Sequence, residues 1–233
     1  MTTHSRSSTP ALVFALAAAL GLTMTAPRAE ACGGGWWPEV QAIDYRVQGI
    51  ASAEKDLAEG RHLAAAGKVI RMIPHIRAYS KASSDLIVNR SLRVLAVASA
   101  RSGGDLSKLA DELPSDLKES FAGMSDEART ENLRWSVKAL KALRKSKKDD
   151  VTLKTELAEA MAALPETKAK ARKTLEKLAR KDLITTPEAY RALGRLRAEA
   201  GNTDGEAHAL ERCRTMARDA AICDGQAAAP GES

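Results

Sequence analysis

Aromatic residues are scarce in this chain, since only 3% of its 233 residues are Phe, Trp or Tyr. Aromatic side chains supply much of the buried area in compact cores, so their scarcity argues against a compact enzyme core. Alanine and leucine are abundant instead, and both have high helix propensity. The composition therefore favours closely packed helices.

Sequence motifs of common catalytic sites are also absent. The chain has no nucleophile elbow, no phosphate loop ending in Gly-Lys-Ser or Gly-Lys-Thr, and no His-Glu-x-x-His. The triple glycine 33–35 lacks the flanking strand and helix of a phosphate loop and is interpreted as a linker. His62, His75 and His208 lie far apart without partners at metal-ligand spacing. We therefore expect no enzyme activity, no cofactor and no metal site.

No apolar run is long enough to cross a bilayer, which requires roughly 20 apolar residues. The run from Ala11 to Leu22 has 12 residues, the length of a secretory h-region. Ala29 and Ala31 occupy the two positions that a signal peptidase reads, which predicts cleavage before Cys32. Residues 1–31 are thus interpreted as a signal peptide that sends the protein to the periplasm or cell envelope.

Cysteine is rare, with three residues in the chain. In an oxidising compartment, Cys213 and Cys223 are close enough in sequence to form a disulfide. Cys32 then stands alone at the predicted mature N-terminus, and this arrangement resembles bacterial lipoproteins, whose N-terminal cysteine is acylated. Ala29 and Glu30 depart from the usual lipoprotein signal. Lipidation and simple cleavage at Cys32 therefore both stay open.

The chain carries a formal net charge of +6, with both signs mixed along most of its length. One stretch is strongly basic, and its charged residues are Lys138, Lys141, Arg144, Lys145, Lys147 and Lys148. These residues either bind phosphates or an anionic membrane surface, or complement the dipole at the C-terminus of a helix. Because no aromatic residues alternate with the cations to stack on bases, we expect no nucleic-acid partner.

From Glu39 onward, apolar residues recur at helical spacing, and no stretch alternates as a half-buried strand does. Gly60 and the Gly103-Gly104 pair are helix stop signals, and Thr186-Pro187 is a start signal. The pattern predicts an all-α fold of eight helices in four consecutive pairs. Residues 105–130, which contain Pro114, Gly123 and several Ser and Asp, are interpreted as an insert.

The segment that begins at Pro187 can be superposed on the one at Thr152, 35 residues earlier. Its pattern resembles the tetratricopeptide repeat, and the matching residues are Tyr190, Leu193, Gly194, Gly201, Leu210 and Cys213. The resemblance implies an α-solenoid of antiparallel helix pairs, wound as a right-handed superhelix over residues 39–223. Residues 32–38 would be a flexible linker and residues 224–233 a disordered tail.

In tetratricopeptide repeats, the first helix of each pair lines a concave groove that holds partner peptides. Transferred by position, the resemblance implies a groove lined by Arg90, Arg93, Arg101, Arg191 and Arg195. Arg191 and Arg195 are four residues apart, so both can reach one carboxylate.

We therefore expect an exported, monomeric module that binds an acidic protein or peptide and contacts the membrane only through an N-terminal lipid. The alternative is a basic envelope protein, or an outer-membrane lipoprotein, that holds anionic polymer or lipid headgroups without a peptide ligand.

Overall fold

The computed structural model describes residues 44–79, 81–109 and 125–224. These ranges contain helices and turns but no β-strand, which confirms the predicted all-α class. The eight α-helices in the described ranges are α1 Tyr45–Ala58, α2 His62–Met72, α3 Leu86–Arg101, α4 Asp126–Ser146, α5 Val151–Ala162, α6 Lys168–Ala179, α7 Pro187–Ala198 and α8 Thr203–Met216.

Several predicted features lie outside the described residues. They are the signal peptide 1–31, Cys32, the linker 32–38, the centre of the insert at 110–124, and the tail beyond Asp224. The structure therefore bears on the helical region alone.

Short polar side chains set the starts of most helices by accepting backbone N–H groups that have no partner within the helix. Thr186 accepts from Ala189 N at 3.3 Å, and Pro187 occupies the first position of α7, as predicted. Asp150 accepts from Leu153 N at 2.9 Å and caps α5. Each such cap stabilises its helix by about 1 kcal/mol.

Two helices begin at positions that differ from the predicted ones. The first helix was predicted to start after Pro38, but α1 begins at Tyr45 because Asp44 accepts the N–H of Arg46 at 3.0 Å. The insert was predicted to extend to residue 130, but α4 begins at Asp126 because Ser125 caps it. In both cases a capping side chain determines the boundary.

Each helix packs against the next one along the chain, so the four predicted pairs are packed pairs. In addition, α1 contacts α3, α3 contacts α5, and α5 contacts α7. We call these four helices the odd-helix row. The row brings α3, α5 and α7 together, although their sequences are separated by other helices.

One continuous hydrophobic cluster extends through all eight helices. Leu95 of α3, Leu140 of α4 and Leu193 of α7 are fully buried members of it. Two apolar residues of the helices, Val47 and Ala207, lie outside this cluster. Val47 is 45% exposed, and Ala207 is exposed because the buried face of α8 runs through Ala209 and Cys213. At 100° per residue, Ala207 lies about 200° around the helix from Ala209.

Cys213 of α8 forms a disulfide with Cys223, with the two Cα atoms 5.9 Å apart. The pairing agrees with the one expected from their spacing. Both cysteines are buried. The bond holds the short turn Ala220–Ile222 against the end of α8, beside α7.

The turn after α3 leads to a test of the fold. Gly103 and Gly104 both have positive φ, but a Cβ on Gly104 would lie 2.2 Å from the carbonyl oxygen of Arg129, whereas a Cβ on Gly103 would meet nothing within 4 Å. We expect Gly104→Ala to lower the free energy of unfolding by about 3 kcal/mol or more, since backbone must move. Gly103→Ala should cost about 1–2 kcal/mol, from its left-handed φ alone.

Urea unfolding followed by circular dichroism measures both values. Equal losses in the two variants would show that α4 does not pack against Gly104 as described.

Candidate functional site

A cleft of about 430 Å³ opens on the odd-helix row, between α3, α5 and α7, and α8 and Asp224 complete its lining. Small side chains at Ala163, Ala192 and Ala198 leave the space open. The charged residues that line it are Arg101, Glu159, Glu188, Arg191, Arg195, Glu206 and Asp224. The cleft is therefore polar and contains both signs of charge.

Arg101 lies at the base of the cleft with its side chain only 4% exposed. Its Nε is 2.8 Å from Glu159 of α5, and one terminal nitrogen is 2.7 Å from Glu188 of α7. Burial alone would lower the pKa of Arg101, but the two carboxylates outweigh burial and raise it. Arg101 therefore stays charged and ties α3 to α5 and α7.

Burial raises the pKa of the carboxyl groups that face Arg101, opposite to its effect on an arginine. It raises the pKa of Glu188, as does the nearby Glu159, while Arg101 opposes the shift. Burial also raises the pKa of Glu156 on α5, against the opposing effect of Arg93, which donates to it at 2.8 and 2.6 Å. Burial removes these carboxylates from water and so disfavours their charged forms. The neighbouring arginines favour the charged forms.

The structure places all five predicted groove arginines on the odd-helix row, but only Arg101, Arg191 and Arg195 line the cleft. Arg90 donates to Glu54 of α1 at 2.9 and 2.6 Å. Arg90, Arg93 and Arg101 thus each pair with carboxylates on neighbouring helices of the row. Their charges are largely neutralised within the protein.

Arg191 and Arg195 are held differently. Arg191 donates to the carbonyl oxygen of Ile222 at 2.9 Å, and Arg195 donates to that of Ala162 at 3.0 Å. A carbonyl does not neutralise a guanidinium, and neither arginine forms an ion pair with another described residue. Each guanidinium has five N–H donors, so both keep donors for a ligand. Among the predicted arginines, these two keep donors without an ion pair, although Arg191 opposes the rise in the pKa of Glu188, which also lines the cleft.

His62, at the start of α2, is partly exposed and lies within electrostatic reach of Arg101 and Arg191. Burial, and then the positive charges of Arg101 and Arg191, lower its pKa to about 3. Its Nδ1 is buried and has no hydrogen-bond partner among the described residues. At neutral pH the imidazole is therefore uncharged.

Sequence reasoning missed Glu156, Glu159 and Glu188, which are buried among apolar residues. A signal was present, because Glu156 and Glu159 are three residues apart and share a helix face. The mixed charge along most of the chain gave no indication that this face is buried.

The described lining of the cleft is charged but has no hydroxyl, amine or imidazole side chain and no free thiol. It contains no Ser, Thr, Lys or His, and Cys223 is held in the disulfide. Nor do the described residues contain a group of three His, Cys, Asp or Glu side chains able to hold a metal ion. Glu188, the lining carboxylate with a raised pKa, is paired with Arg101.

Comparisons of the chain with protein-family models, curated proteins and solved structures found no match. In the described ranges, every helix is too short or too polar to span a bilayer.

Arg101 allows a direct test of the buried network. We expect Arg101→Met to lower the free energy of unfolding by about 3–5 kcal/mol, because two buried carboxylates would lose their cation. Arg90→Met is a matched control on the same helix, since Arg90 also pairs with a carboxylate of the row but is 39% exposed. It should cost less than about 1 kcal/mol. Similar losses would contradict the buried role of Arg101.

The lowered pKa of His62 makes the free energy of unfolding depend on pH. Its pKa is about 3 in the folded protein and 6.5 ordinarily. Below pH 6.5 the unfolded chain binds a proton that the folded one does not, so stability is complete above pH 6.5 and falls toward pH 3. Between pH 6.5 and 4.5, we expect the wild type to lose on the order of 1–2 kcal/mol more than His62→Gln, discounted for partial exposure.

Glu188→Gln serves as a comparison with the opposite sign. A raised carboxyl pKa contributes stability below its ordinary value of 4.5, and that stability is lost as pH rises through the folded value. The free energy of unfolding of Glu188→Gln should therefore rise relative to wild type as pH increases above about 4.5. Urea unfolding at a series of pH values measures both differences. Parallel profiles for all three proteins would refute the assignment.

Proposed function

We propose that this chain is a non-catalytic protein-interaction module of tetratricopeptide type, exported to the bacterial cell envelope. The consecutive helix pairs support this proposal, as do the contacts along the odd-helix row. An amphipathic pair cannot bury its apolar face alone, and stacking successive pairs into a right-handed α-solenoid gives them one shared core.

Arg191 and Arg195 carry the proposal. They lie one helical turn apart on α7, line the cleft, and have carbonyl oxygens rather than carboxylates as partners. A carboxylate placed between them would accept hydrogen bonds from both guanidinium groups. Such charge-assisted bonds contribute about 1.5–3 kcal/mol each. The favoured ligand is therefore an acidic peptide segment or a free chain terminus.

The surroundings of these two arginines support a preformed site. Arg101 ties α3, α5 and α7 together, and the disulfide at Cys223 holds the turn whose Ile222 carbonyl positions Arg191. Few side chains have to lose conformational freedom when a ligand binds to such a site. The entropic cost of binding is therefore small, which favours higher affinity. The remaining lining carboxylates would repel acidic residues placed elsewhere and so select the position of the ligand's charge.

The proposal of export is based on residues 1–31, which are interpreted as a signal peptide. The disulfide between Cys213 and Cys223 is consistent with it. Cys32 would begin the mature chain, with or without a lipid.

A peptide library tests the proposed function. The probe is a pool of fluorescent hexapeptides with randomised sequences and free C-terminal carboxylates, compared with the same pool amidated. We expect the wild type to select acidic, free-carboxylate members, and the double variant Arg191→Gln/Arg195→Gln to bind them at least about tenfold more weakly.

Arg172→Gln is the control, because Arg172 is an exposed arginine on α6 outside the cleft. It should bind like the wild type. Peptide selection that ignores carboxylates, or equal loss in the control, would refute this ligand.

A further inference from the structure

A second concave surface, of about 870 Å³, runs along α4. The exposed side of α4 contributes most of its lining, and Lys81 and Ala82 line it from the segment before α3. Residues from Leu164 to Thr167, at the connection between α5 and α6, complete it. We call this surface the α4 groove. It shares no lining residue with the cleft on the odd-helix row.

Cations follow the α4 groove along its length. Arg134, Lys138, Lys141 and Lys145 are spaced by four, three and four residues, so they lie on one face of α4. All four are exposed. At 1.5 Å per residue the row extends about 16 Å. Lys81 adds a fifth positive charge.

Most of this charge is uncompensated. Arg134 pairs with Glu131 at 2.7 Å and with Glu166 at 3.1 Å. Within the described part of the chain, the lysines at positions 81, 138, 141 and 145 pair with no carboxylate. The helix dipole explains a cation only in the last turn, and Lys138 and Lys141 lie before it. Four free positive charges in one groove thus indicate an anionic occupant.

The apolar lining narrows the class of occupant. Ala82 and Ala142 lie half-exposed in the groove among the cations, and the buried Val137 and Leu164 form its floor. An anionic glycan or polyphosphate would gain nothing from apolar contacts, and a flat bilayer would sit poorly in a concave surface. A peptide with acidic residues on one side and apolar residues on the other matches both features.

We propose that the α4 groove binds an acidic, amphipathic peptide segment. Its carboxylates would pair with Lys138, Lys141 and Lys145, while its apolar side chains would cover the half-exposed Ala82 and Ala142. A span of 16 Å corresponds to about five residues of extended chain or eleven of helix. This site is separate from the cleft, so either can fail without the other.

Fluorescence anisotropy on the full chain tests the proposal. The probe is a labelled 14-residue peptide with glutamates on one helical face and leucines on the other. We expect the triple variant Lys138→Glu/Lys141→Glu/Lys145→Glu to bind it at least about tenfold more weakly than wild type at low salt. The triple variant Lys170→Glu/Lys173→Glu/Lys177→Glu makes the same charge change at exposed lysines of α6. It should remain within about twofold of wild type.

A variant that fills the groove tests the contribution of its shape separately from that of its charge. Ala142→Trp would place a large side chain in the groove without changing any charge, and we expect it also to weaken the peptide at least about tenfold. Measured in the Arg191→Gln/Arg195→Gln background, which removes any contribution of the cleft, the α4 triple variant should still bind at least about tenfold more weakly than its parent, and this distinguishes the groove from the cleft. Circular dichroism confirms that each variant is folded.

Polyphosphate and phosphatidylglycerol vesicles serve as competitors. The proposal is overturned if Ala142→Trp has no effect, if the α6 triple variant loses as much affinity as the α4 one, or if either competitor binds tightly while the peptide does not.

Discussion

The ion cluster of Arg101 with Glu159 and Glu188 is the interaction on which the rest of the structure depends. It joins three helices of the odd-helix row, and all three side chains are almost fully buried. Taking such charges out of water costs several kcal/mol per ion, and pairing recovers that cost only when the geometry is good. A cluster of this kind therefore contributes less to net stability than to specificity. We infer that it sets the register of α3, α5 and α7, since a shifted helix would leave a buried charge without a partner.

Ion pairs along the same row neutralise three of the five predicted groove arginines. Carboxylates of α1 and α5 neutralise Arg90 and Arg93, and those of α5 and α7 neutralise Arg101. Of the five predicted groove arginines, Arg191 and Arg195 have no ion pair with a described residue and donate to carbonyl oxygens. The two surfaces therefore differ in kind. The cleft presents a few positioned donors among fixed charges, whereas the α4 groove presents a row of unpaired lysines beside apolar residues.

Local features were predictable because their physics is local. Thr186 and Pro187 start α7, Asp150 caps α5, and the Gly103-Gly104 pair follows the end of α3, as the sequence indicates. The start of α1 was misplaced, since apolar spacing alone does not show that Asp44 would cap the helix. The ion-pair partners of the arginines could not be predicted from local sequence patterns. Arg93 and Glu156 are 63 residues apart, and Arg101 and Glu159 are 58 apart.

Residue order alone determined the helical class, most helix boundaries and the cysteine pair, because hydrophobic period, capping and short loops depend on residues close together in the chain. It also identified the basic stretch of α4 without showing that the stretch lines a groove. The packing of α3, α5 and α7 decided which arginines form ion pairs with carboxylates and which donate only to carbonyl oxygens. That outcome depends on side chains brought together across many residues, where desolvation and pairing, rather than local propensity, control the charge of each group.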